Sequence, residues 1–173
     1  RVLRSCKGDA NWACKMFRRC LEWRNKHGVN AIRQAILDND WSFDTLPGAA
    51  ALQAVWPHDL WIEGDGMHSK GDVVHLELWG SMDPKALVSS ITPKLFTRTR
   101  IHEFELRSML LDAQSRRERR VAMYVSIFDC RGTTVAHRSV ISFIKLFART
   151  AGMYRGQQRT PVYATRVSRF GRI

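Results

Sequence analysis

The chain has 173 residues, the size of one ordinary domain, and its 45% hydrophobic and 25% charged residues are those of a folded globule rather than a disordered segment. It contains no run of about 18 apolar residues, the minimum for a helix that crosses a bilayer. A formal net charge of +12 favours an anionic partner: nucleic acid, a membrane surface or a phosphorylated ligand.

The charge is spread along the chain rather than held in one block. It falls on the first helical stretch (Lys15, Arg18, Arg19, Arg24), on "RRERR" at 116–120 and on the C-terminal segment. Four cysteines, Cys6, Cys14, Cys20 and Cys130, lack zinc-ligand spacing and read as reduced, partly buried thiols of an intracellular protein. The first residue is arginine and no signal-peptide pattern follows, so a longer N-terminus is expected.

Asp9 is placed to cap a helix from Ala10, whose Ala13, Met16, Phe17, Cys20 and Leu21 share one face. Gly28 stops it, and Asn30 is expected to cap a second helix over 31–37. "LPGAAALQAVWP" reads as a short helix closed by Pro57, and the glycine-rich stretch that follows reads as an exposed loop. Residues 73–80 read as a strand with Val74, Leu76 and Leu78 on one face and His75 and Glu77 on the other. Asp83–Pro84 and Thr92–Pro93 each pair a capping side chain with proline at the first helical position. The second pair predicts a long helix to about Ala113. Its apolar positions include Leu95, Phe96, Ile101, Phe104, Leu106, Met109 and Leu110.

The near-continuous apolar run at 121–129 predicts a central strand buried on both faces. A helix over 135–151 follows, with Val140, Ile141, Ile144, Phe147 and Ala148 on one side. "TPVYATRV" offers one more short strand. Two strands joined by a long helix predict an α/β fold with parallel pairing.

Four stretches in this order resemble the CRAL-TRIO lipid-binding family, which includes the yeast-type phosphatidylinositol transfer proteins. They are "VLRSCKGDANWACKMFRRCLEWRNKHGVNAI", "GDVVHLELWGSMDPKAL", "RIHEFEL" and "VSIFDCRG". The resemblance implies an N-terminal helical module (1–37), a partial CRAL-TRIO-like α/β lipid-binding domain (38–152) and a basic tail without a family match (153–173). It implies a phospholipid or other lipophilic molecule in an apolar pocket floored by the sheet, with lipid transfer at a membrane. Peripheral contact with an anionic membrane surface and a cytoplasmic location follow from it. No cofactor, metal or catalytic group is expected, because apolar area drives such binding.

The pocket candidates are Leu76, Leu78, Tyr124, Ser126 and Phe128, with Lys7 beside the headgroup. Cys6 stands where family members often have arginine, and Asp72 replaces a further arginine. The family's gate helix and closing strands have no counterpart, so the domain reads as C-terminally truncated. Two alternatives stay open: a truncated relative that binds no lipid and acts as an interaction module, and a nucleic-acid binder using the tail, where Tyr163 and Phe170 lie among arginines. For catalysis the residues to test are His102, in "HEFE", and Asp129. "HEFE" lacks the second histidine of a zinc-hydrolase helix, and aspartate at a strand end commonly caps a turn.

Overall fold

A computed structural model describes residues 3, 6–62, 73–154 and 162–164, with backbone alone for 58–62, 73, 74 and 162–164. In chain order the elements are α1 (Ala10–Lys26), α2 (Val29–Asn39), α3 (Ala49–Val55), β1 (His58–Ile62), β2 (Val73–Leu78), α4 (Pro84–Ser90), α5 (Pro93–Arg117), β3 (Tyr124–Asp129), α6 (Ile141–Met153) and β4 (Val162–Ala164). The expected loop at 64–72 and most of the basic tail, with Phe170, lie outside the described residues.

Local sequence sets most helix starts. Asp9 accepts a hydrogen bond from the Trp12 backbone N–H at 2.9 Å. Asp83 accepts from Lys85 and Ala86, both at 3.0 Å, ahead of Pro84. Thr92 accepts from Leu95 at 3.1 Å, ahead of Pro93. Each satisfies backbone donors that a helix N-terminus leaves open. Asn30 does not cap: α2 begins two residues earlier than expected, at Val29 after Gly28 in the left-handed region (φ 61°), and the Asn30 side chain instead accepts from Arg24 at 3.0 Å.

The sheet has four strands in the order β1-β2-β3-β4. β2 and β3 pair in parallel, as the strand–helix–strand pattern predicts, and β4 adds a parallel neighbour on the far side of β3. That places β3 centrally. β1 pairs antiparallel with β2 and was not expected from the sequence. Its five residues follow a helix and Pro57, with too few alternations to separate a strand from an extended loop.

Two helices present faces other than those expected. On α1, Phe17 and Leu21 are 52% and 44% exposed, and Ala13, Met16, Cys20, Trp23 and His27 turn inward instead. Trp23 fixes this rotation by packing edge-on against Tyr154, at 5.9 Å between ring centroids. On α6, Phe143, Phe147 and Thr150 are buried, while Ile141 and Ala148 face solvent. A 3-10 turn over Val135–Val140 precedes α6 and breaks the phase of the expected single helix.

The main core gathers Trp56, Leu87, Phe96, Phe104, Phe128, Phe143 and Phe147. A second cluster (Val29, Ile32, Ile36, Leu46, Ile101, Leu106) docks α2 onto α5. The turns after β2 and β3 touch backbone to backbone: a Cβ on Gly80 would overlap the Arg131 carbonyl. Gly80→Ala is therefore expected to lower the unfolding free energy by about 2–4 kcal/mol. Gly152→Ala, with open space around it, is expected to be neutral or stabilising by up to about 1 kcal/mol. Urea unfolding of both variants checks the pair.

Candidate functional site

The register of β2 against β3 decides which candidate residues share a surface. His75 lies opposite Ser126, Leu76 opposite Ile127, Glu77 opposite Phe128 and Leu78 opposite Asp129. Since side chains alternate along a strand, one face carries His75, Glu77, Tyr124, Ser126 and Phe128. The other carries Leu76, Leu78, Val125, Ile127 and Asp129. The five predicted pocket residues are therefore not brought together: Tyr124, Ser126 and Phe128 lie on the first face, Leu76 and Leu78 on the second. His75 and Glu77 are fully buried, whereas Leu76 and Leu78 are partly exposed.

The first face is filled by α5. Residues 99–108 of that helix are all buried, charged ones included. Arg100 donates to Glu103 at 2.8 Å and reaches Glu77 on β2 at 3.4 Å. Its guanidinium lies over Trp56 at 4.7 Å, Phe147 at 5.2 Å and Phe96 at 5.4 Å. Arg107 sits 3.2 Å from His75 Nε2 and lies over the rings of Phe104 and Tyr124 at 4.9 and 4.8 Å. A guanidinium can only donate, so His75 Nε2 is the acceptor of this contact. Burial pushes the Tyr124 hydroxyl above its ordinary pKa, and nearby Arg107 opposes that shift. These contacts make the first face a packed seam of paired charges and aromatic rings.

A second polar cluster joins the helical module to α5. Arg24 holds the fully buried Glu105 with two bonds, at 2.6 and 3.2 Å, and Arg33 approaches the same carboxylate at 3.5 Å. Burial disfavours the Arg24 charge, but the bond and charge of Glu105 outweigh it and hold the guanidinium above its usual value. Burial, then the Glu105 charge, push the Tyr154 hydroxyl well up. Cys20 donates to the Met153 carbonyl at 3.3 Å, and its thiol is raised chiefly by burial.

On the second face of the sheet, Leu76, Leu78, Val125 and Ile127 belong to none of the three apolar clusters formed among the described residues. Leu76, Leu78 and Ile127 are partly exposed on this face, whereas Val125 is buried. Val125 and Ile127 were missed as candidates, although the alternation that selects Leu76 and Leu78 selects them once the register is known. The buried seam was missed too. Its signal is the interleaving of charge at positions 100, 103, 105 and 107 with Ile101, Phe104 and Leu106, which leaves the helix without a separate apolar and polar face.

The remaining candidates stand apart. Lys7 is exposed in the turn before α1, in the left-handed region at φ 53°, beside buried Cys6. Asp129 accepts from the backbone and side chain of Arg131 at 2.9 Å, which hold its carboxyl below the usual range; it caps the turn after β3. His102 is buried with its ring edge-on to Trp41, at 5.8 Å between centroids. Among the described residues no disulfide joins the four cysteines. Among the described residues, no group of three or more histidine, cysteine, aspartate or glutamate side chains is placed to hold a metal ion, and no helix is long and apolar enough to cross a membrane.

Comparison with known proteins gives no matching family model and no matching curated protein.

Two predictions concern buried titratable groups of α5. Arg100→Met leaves Glu77 and Glu103 buried without their cation, and is expected to cost about 3–5 kcal/mol in urea unfolding. His102 has a pKa lowered by burial and, secondarily, by Arg98. A folded-state pKa below the unfolded one makes the unfolded chain the better proton acceptor. The His102 contribution is thus intact above an unfolded pKa of about 6.5 and is lost as pH falls from there towards the lowered value. His102→Gln is expected to flatten that part of the stability profile.

Proposed function

We propose that this chain is a lipid-binding domain of the CRAL-TRIO kind, holding one lipophilic molecule against the sheet face of Leu76, Leu78, Val125 and Ile127. The observation that carries the reading is the split of the sheet into a face packed by α5 and an apolar face outside the helix-made clusters. Four aliphatic side chains on adjacent parallel strands offer the kind of surface an acyl chain takes up, at about 25 cal/mol per Å² of apolar area removed from water. Tyr124, Ser126 and Phe128 support the floor from beneath instead of lining the pocket. The net charge of +12 suits brief contact with an anionic membrane surface, where each nearby basic residue contributes about 1 kcal/mol. On this reading the protein works at a cytoplasmic membrane surface, carries lipid without changing it and needs no cofactor.

The test is incubation with vesicles of phosphatidylcholine and phosphatidylinositol, then native mass spectrometry and lipid extraction. One lipid per folded chain is expected. Leu78→Asp should lower uptake at least about tenfold with the fold retained, since it places a charge on the binding surface. Ser126→Asp should instead unfold the domain, because Ser126 is 3% exposed on the packed face. A folded wild-type chain that takes up no lipid would overturn the reading and favour an interaction module.

A further inference from the structure

A groove of about 580 Å³ runs between α2 and α5, away from the sheet residues discussed above. Its floor is Ile36, Trp41, Leu106 and Met109, and two large side chains on its walls, Leu37 and Leu110, are 57% and 45% exposed. Its size lies in the range of small-molecule sites, and so does its make-up of apolar walls with a few polar groups.

The two ends differ chemically. Trp41 meets His102 edge-on, while Arg33 reaches Asp112 at 3.8 Å, so α2 and α5 run antiparallel along the groove. Trp41 and Asp40 therefore mark one end, and Arg33, Asp112 and Arg116 the other. At the second end Asp112 is matched by Arg33, which also approaches Glu105. Arg116 is exposed and forms no ion pair among the described residues. It opens the run 116–120, in which four arginines accompany one glutamate. The groove is thus an apolar channel whose second end carries Arg33, Arg116 and the basic run behind it against the single carboxylate of Asp112, while Asp40 lies at the Trp41 end.

We propose that this groove binds an anionic single-chain amphiphile, its alkyl chain along Leu37, Met109 and Leu110 towards Trp41 and its negative head at Arg116. The positive end selects the sign of the head, because a guanidinium gives carboxylate and phosphate oxygens charge-assisted hydrogen bonds and gives an ammonium none. The groove shares no residue with the sheet-face site, so the proposal stands apart from that reading.

The experiment is isothermal titration of the whole chain with dodecanoate below its micelle concentration, beside dodecyltrimethylammonium as a cation of equal chain length. Saturable 1:1 binding of dodecanoate is expected, with the cation at least about tenfold weaker. Leu37→Glu and Arg116→Glu alter exposed side chains, and each should weaken dodecanoate binding by about tenfold while leaving the circular dichroism spectrum unchanged. Equal affinity for both amphiphiles, or dodecanoate binding untouched in both variants, would overturn the proposal. So would binding abolished by Leu78→Asp alone, which would place the amphiphile on the sheet face. A concentration-dependent dimer that Leu37→Glu dissolves, with no dodecanoate binding, would make the groove a self-interface and would also sink it. Failure of vesicle-lipid uptake with dodecanoate binding intact would count against the sheet-face reading alone.

Discussion

The middle of α5 is buried on every side, and most of the fold answers to that one condition. Ten consecutive residues, 99–108, are removed from solvent, among them two arginines and two glutamates. An ionised group taken out of water costs several kcal/mol unless a partner meets it. Each neighbouring element therefore brings one: β2 supplies Glu77 and His75, α1 supplies Arg24 and α2 supplies Arg33. The aromatic cluster contributes ring faces to Arg100 and Arg107. A buried ion pair adds little net stability compared with a well-packed apolar core, but it punishes any other arrangement. Its effect here is to fix how the helix lies against the sheet and against the helical module.

That condition also determines which surface of the sheet is left for function. Once α5 claims the His75, Glu77, Tyr124, Ser126 and Phe128 face, the hydroxyls of Tyr124 and Ser126 serve packing. Apolar residues that pair across β2 and β3 on the other side, Leu76 with Ile127 above all, form the alternative surface. A ligand lying there would meet aliphatic side chains from the strands, with Asp129, held by Arg131, at one end. Any polar selection of a headgroup would have to come from elements at the sheet's edges.

Helices α1 and α2 are held by the Arg24–Glu105 contact, by Arg33, by the packing of Trp23 on Tyr154 and by a small apolar cluster. Arg24 grips Glu105, while Ile32 and Ile36 of α2 pack near Ile101 and Leu106.

The sequence by itself determined the elements whose causes are local. Asp9, Asp83 and Thr92 fix helix starts because each cap acts over three residues, and the β-branched and aromatic run before Asp129 identified a central strand. The parallel pairing of β2 with β3 followed from the long helix between them. Only the tertiary structure decided which way each face points. Alternation shows that His75 and Glu77 share a side, but not that the side is inner; that depends on Arg100 and Arg107 arriving from another element. The rotation of α1 likewise depends on Tyr154 and Glu105, more than 80 residues away in the chain. β1 was illegible because five residues carry too little periodicity without the partner strand that defines them. The candidate site was half legible for the same reason: Leu76 and Leu78 could be read from one strand, whereas Val125 and Ile127 join them only through a register that hydrogen bonds between strands establish.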